Sequence, residues 1–97
     1  MKTKEQYISL LRSFLDEHGE EYGIKRIGIF GSVARGEQTE TSDVDIYYEG
    51  PPRGLKSFTG LPQALSEYFD APVDVVREHD GLDYYLRNRI KQEIVYV

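Results

Sequence analysis

At 97 residues the chain has room for one compact domain, residues 1–97, with a thin core, so a catalytic unit of this size would borrow part of its acceptor surface from another chain. A formal net charge of -5 argues against bulk nucleic-acid binding, which depends on Lys and Arg neutralising phosphates, but a small anion can still be held where local donors and metal reverse the sign. The absence of cysteine excludes disulfides and thiolate metal sites, no apolar run nears the ~18–20 residues of a membrane span, and Met1-Lys2-Thr3-Lys4 leads into no signal-peptide core, so the expected location is the cytoplasm.

The pattern then alternates helix and strand. From about Lys4 to Glu21, Tyr7, Leu10, Leu11, Phe14, Leu15 and His18 recur at helical spacing, with Thr3 as cap and Gly19 and Gly23 bracketing the end. Lys25 to Phe30 reads as a short strand, and Gly31-Ser32 opens a helical turn through Arg35. Ser42 to Tyr48 is a second strand, rich in β-branched and aromatic residues. Gly50-Pro51-Pro52-Arg53-Gly54 has the composition of a loop. Phe58, Leu61, Leu65, Tyr68 and Phe69 form another helical stripe, and Pro72 to Arg77 is a third strand. Leu82, Leu86 and Ile90, each four apart, carry the last helix; Ile94 to Val97 continues it or forms a short strand. The order α-β-α-β-α-β-α predicts an α/β (α+β) domain with a small sheet of three to four strands covered by helices. Strand directions stay open in this pattern.

The chemically informative stretch is Gly31-Ser32-Val33-Ala34-Arg35-Gly36-Glu37, followed by Ser42-Asp43-Val44-Asp45-Ile46. A glycine at a strand-to-helix turn lets the backbone approach a ligand, and the first N–H groups of a helix favour a phosphate. The Ser32 hydroxyl adds a donor. Asp43 and Asp45 lie two apart on a predicted strand, so both carboxylates face one way, about 7 Å apart at the backbone, with Val44 and Ile46 facing the core. Such a pair can hold hard cations: magnesium binds one or two carboxylates plus substrate phosphates, and two ions can serve a phosphoryl transfer. Alone, Asp-X-Asp is most often a solvated strand face and Gly-Ser a common turn. At average residue frequencies their combination at one fixed spacing arises in on the order of one chain per thousand of this length.

Gly31-Ser32, ten intervening residues and Asp43-Val44-Asp45 resemble the defining pattern of the nucleotidyltransferases of the DNA polymerase beta superfamily. The fuller string looks like the minimal nucleotidyltransferases, MNT. The resemblance implies a polymerase-beta-like fold, two Mg2+ ions and ATP as substrate, with Gly31 and Ser32 binding the nucleotide; Arg35, one turn after Ser32, is placed to offer the triphosphate a forked donor. It implies a third carboxylate on a later strand, matched by Asp74 ahead of Asp70 or Asp80. Asp43, Asp45 and Asp74 are then the metal ligands and catalytic residues, Asp74 also taking the proton from the attacking hydroxyl. Even without the resemblance, an aspartate inside Val73-Asp74-Val75-Val76 is unusual, because unpaired carboxylates are rarely buried.

Other candidates are weaker. Arg35 is equally explained by a salt bridge to Glu37 or another acid, and Gly36 by the turn. Arg53 and Lys56 could close over phosphates but read better as solvated loop charges. His18 and His79 are isolated and make no metal site. The resemblance further implies a partner: MNT proteins are commonly the antitoxins of HEPN–MNT pairs and transfer AMP to a tyrosine of the HEPN toxin. Tyr47, Tyr48, Tyr84, Tyr85 and Tyr96 are more aromatic surface than a thin core readily hides, which suits protein docking, although several can pack on the sheet. The rival readings are adenylyl transfer to a small molecule such as an aminoglycoside, and a non-catalytic antitoxin that occludes its partner. Self-association is left open.

Overall fold

A computed structural model describes residues 2–52 and 60–97. The predicted roles of Arg53, Lys56 and Phe58 lie outside the described residues. Helix α1 (Lys4–Tyr22) starts on a reciprocal cap: the Thr3 side chain accepts from Gln6 N–H, and the Gln6 side chain accepts from Thr3 N–H at 2.8 Å. It runs through Gly19, which is buried inside it, and closes at Gly23, whose φ of 67° suits only a residue free to be left-handed. Strand β1 (Arg26–Phe30) leads into the five-residue α2 (Gly31–Arg35), and β2 (Val44–Glu49) follows. The predicted second strand thus begins two residues later than expected, and Asp43 precedes it. Then come α3 (Gly60–Phe69), β3 (Val73–Arg77), α4 (Tyr84–Glu93) and β4 (Val95–Tyr96). The tail beyond α4 is therefore a strand, not a helical extension.

The four strands form one mixed sheet in the order β3-β2-β1-β4. β1 runs antiparallel to β2 and β4, whereas β2 and β3 are parallel. Period-two alternation divides the side chains between the two faces. Ile27, Ile29, Val44, Ile46 and Tyr48 join Tyr7, Leu11 and Phe14 of α1 and Leu61, Leu65 and Phe69 of α3 in the larger core. On the opposite face Phe30 and Tyr47 pack with Ile90 of α4, flanked by Val76, Leu82 and Leu86. The expectation that Val44 and Ile46 face the core holds. Among the described residues no helix is long and apolar enough to cross a membrane.

Helix α4 is anchored at its start by a polar fork. Arg87 donates to Glu78 through Nε (3.0 Å) and Nη2 (2.7 Å), while Tyr47 Oη donates to Glu78 Oε1 at 2.8 Å. These bonds, led by the one from Arg87, hold the Glu78 carboxyl below its ordinary range, and burial pushes the Tyr47 phenol up. Tyr47 and Tyr48 are thus buried residues rather than docking surface, and Tyr96 lies under the Arg26 guanidinium, 3.6 Å from its ring centre. Of the five tyrosines only Tyr84 and Tyr85 are widely exposed.

At the other end of α4 the chain passes close over β1. A Cβ on Gly28 would lie 2.7 Å from Val95 O and 2.8 Å from Ile94 Cγ1, so β4 would have to shift to admit one. Gly28→Ala is expected to destabilise the fold by about 1–3 kcal/mol. The check is urea unfolding: a lower midpoint at unchanged slope, against no change if β4 yields freely.

Candidate active site

The parallel register of β2 and β3 sets Asp45 opposite Asp74, two carboxylates on adjacent strands whose backbones are about 4.8 Å apart. Alternation puts both on the α4 face, away from Ile46 and Val75. Asp43 stands one residue ahead of β2 and is exposed, as is Asp74; Asp45 is half-buried. The Asp45 carboxyl is pushed above its ordinary range, first by burial and then by Asp74 and Asp43, against a smaller pull from Arg89 and Arg35. The other two sequence-predicted carboxylates, Asp74 and Asp43, thus both act electrostatically on Asp45. Asp70 follows α3 and Asp80 lies in the loop before α4; neither is among the charges acting on Asp45.

Gly31 fits against this group. It opens α2 with φ of 73°, and a Cβ there would run into the Asp45 carboxylate. Glycine is required twice over, for the left-handed turn and for the approach of Asp45. The next residue, Ser32, is half-buried, and its hydroxyl has no partner among the described residues. Arg35 is committed: its Nε donates to Glu37 Oε1 at 2.6 Å and its Nη1 to Glu93 Oε1 at 2.8 Å. These bonds raise its pKa. The salt-bridge explanation of Arg35 is thus realised, with Glu93 as an additional partner. Gly36 closes α2 with φ of 72°.

Sequence reasoning missed Arg89 and Glu93, both on α4. Glu93 accepts from Gly31 N–H at 3.0 Å. Arg89 is exposed, acts electrostatically on Asp45 and makes no ion pair among the described residues. Their spacing of four puts them on one helix face. That spacing was visible in the chain, but only the docking of α4 says which face meets the strands. The histidines lie apart from the site: His18 sits between Glu17 (3.7 Å) and Glu21 (3.3 Å) on α1, and His79 Nδ1 accepts from Gly81 N–H.

As they stand, no three acidic or imidazole groups among the described residues are close enough to hold a metal ion. The donor chemistry nevertheless suits one: carboxylate oxygens only, one half-buried, repelling each other and thus relieved by a divalent cation.

The sequence profile of the nucleotidyltransferase domain family matches residues 9–97. The chain belongs to that family. Protein adenylyltransferase MntA of Thermococcus cleftensis is 37% identical over 99 residues, covering all of this chain and 98% of its own. A Methanocaldococcus jannaschii protein, provisionally named a protein adenylyltransferase, is 38% identical over the full length of both chains. A structure provisionally identified as a minimal nucleotidyltransferase superposes with a TM-score of 0.76 at 29% identity, covering 97% of this chain and 95% of that one. The fold is shared with a toxin–antitoxin complex solved with AMP-PNP, at TM-score 0.65 and 24% identity, covering 98% of this chain and 72% of that one. The resemblance to the minimal nucleotidyltransferases of the polymerase beta superfamily is borne out, as is the mixed fold with its small helix-covered sheet.

The raised Asp45 carboxyl has a consequence for stability. Between its ordinary value and the raised one, the folded protein holds a proton that the unfolded chain has released. Stability therefore falls as pH rises through that window, and the cost is complete at neutral pH. Asp45→Asn cannot ionise, so it is expected to melt above the wild type at neutral pH and low salt. The difference should shrink as pH is lowered through the carboxylate range. Thermal unfolding followed by circular dichroism tests this; an Asn variant melting at or below the wild type throughout would contradict it.

Proposed function

We propose that this nucleotidyltransferase moves AMP from ATP to a hydroxyl of a partner protein, a tyrosine of a HEPN-type toxin, and acts as its antitoxin. The carrying observation is the register that sets Asp45 beside Asp74 next to the turn at Gly31: a pair of carboxylates beside the Ser32 hydroxyl, which has no partner among the described residues, suits a metal–triphosphate complex. The protein acceptor is supported by full-length relatives named protein adenylyltransferases. The antitoxin role is supported by the toxin–antitoxin assembly among the proteins that share the fold.

In this reading Asp43, Asp45 and Asp74 hold Mg2+, which when bound supplies positive charge to the triphosphate. Gly31, Ser32 and Arg35 form the nucleotide side, with the Ser32 hydroxyl donating to a phosphate oxygen. Asp74 lies at the exposed margin of the cluster, open to an incoming hydroxyl, and takes its proton. The hydroxyl oxygen bonds to the α-phosphorus, the bond between that phosphorus and its bridging oxygen to the β-phosphate breaks, and pyrophosphate leaves. The residues act mainly by positioning and charge placement.

The test is transfer from α-labelled ATP with magnesium, with and without lysate from the native cells, beside Asp45→Asn. A labelled protein band that needs both lysate and Asp45 is expected, the variant retaining no more than about one part in a hundred of wild-type turnover. Label in a small molecule would reassign the acceptor. Transfer by folded Asp45→Asn at the wild-type rate would sink the mechanism, and no transfer by folded wild type would leave a non-catalytic binding partner.

A further inference from the structure

Glu93 ends α4, yet its carboxylate is spent on the start of α2, 62 residues earlier in the chain. Oε2 accepts from Gly31 N–H at 3.0 Å and Oε1 accepts from Arg35 Nη1 at 2.8 Å. The side chain is only 17% exposed, against 43% for Arg35. Helix α2 cannot hold this geometry alone. It has five residues, too few for a helix to be stable by itself. Phe30, the residue before it, offers no side-chain cap. Glu93 supplies the missing acceptor from a distance.

Glu93 is itself held on both sides. Ile94 N–H donates to Ile90 O at 2.8 Å, which closes α4. Immediately beyond, Val95 and Tyr96 pair with Ile29 and Gly28 of β1, and Val97 N–H donates to Ile27 O at 3.1 Å. The backbone that carries the carboxylate is therefore part of the sheet framework. This distinguishes a brace from a mobile plug that a phosphate would push aside. Arg35 is also aimed by its two partners: Glu37 takes Nε and Glu93 takes Nη1, while neither takes Nη2. A guanidinium held at two corners presents its third in a fixed direction.

We propose that Glu93 is a positioning residue for nucleotidyl transfer. It fixes the Gly31-Ser32 turn and the Arg35 fork so that the Ser32 hydroxyl and Arg35 Nη2 meet the triphosphate together. The inference rests on the reading of that turn as the nucleotide site. Groups that hold the triphosphate equally in the bound complex and in the transition state set KM more than kcat. Loss of the brace is therefore a loss of nucleotide affinity first.

The experiment compares wild type, Glu93→Gln and Glu93→Ala, using magnesium and a non-hydrolysable ATP analogue in calorimetry, steady-state transfer from ATP, and hydrogen exchange at the Gly31 amide. Gln keeps the length and an acceptor for Gly31 N–H but cannot offer a carboxylate to Arg35. The Gln variant is expected to bind the analogue roughly tenfold more weakly, the scale of one charge-assisted hydrogen bond, with KM raised more than kcat is lowered. The Ala variant should bind more weakly still, with faster exchange at Gly31. If Ala does not fold, the Gln variant decides. Folded Gln variant with wild-type affinity overturns the brace; tighter binding overturns it in favour of a carboxylate that competes with phosphate. Wild type that binds no triphosphate brings down the nucleotide-site reading, and this inference with it.

Discussion

Two aspartates, Asp74 and Asp43, act on the half-buried Asp45, and most of what is unusual in the structure follows from that crowding of like charge. Like charges directly opposite each other across two strands oppose folding, and partial burial of Asp45 adds to the cost. A sheet built for stability alone would carry β-branched residues at these positions, as it does at Ile46 and Val75 on the opposite face. A half-buried carboxyl raised by burial and by like-charged neighbours is a physical signature of a working site, and the family to which the chain belongs gives that signature a chemical meaning.

The remainder of the fold accommodates this cluster. Position 31 takes glycine because the Asp45 carboxylate occupies the space of a side chain. The larger hydrophobic core is on the other face, where α1 and α3 cover the sheet. The α4 face has a smaller apolar group, Phe30, Tyr47 and Ile90, which leaves its polar end available. Helix α4 is fastened at both ends by charge-assisted bonds. Arg87 grips Glu78 near its start, and Glu93 grips Gly31 and Arg35 at its finish. Between them Arg89 lies within electrostatic reach of Asp45. One helix thus closes the smaller core and lends two charged groups to the site. Tyr84 and Tyr85, 66% and 80% exposed, stand at its far end.

Much of this was legible in the chain because the relevant physics is local. Helical periodicity located α1, α3 and α4, alternation located the three long strands, and Gly31-Ser32 with Asp43-Val44-Asp45 lies within fifteen residues. The errors have local causes too. The second strand begins at Val44 because pairing with β3 starts there, not at the first residue of suitable composition. Tyr47 and Tyr48 looked like surplus surface because composition does not reveal that a mixed sheet has two apolar faces, each able to bury one of them.

The order of the elements from α1 to α4, the character of the turn after β1, and the alternation that directs Asp45 away from Ile46 were readable along the chain. Those depend on a few neighbouring residues and on the periods of helix and strand. That β2 and β3 are parallel, in the register that sets Asp45 against Asp74, follows from the folded sheet alone. The docking of α4 alone turns Arg89 and Glu93, rather than any other face of the helix, to the site. Such choices rest on contacts between residues as far apart as Gly31 and Glu93, whose energies come from packing and burial that no short stretch of chain contains.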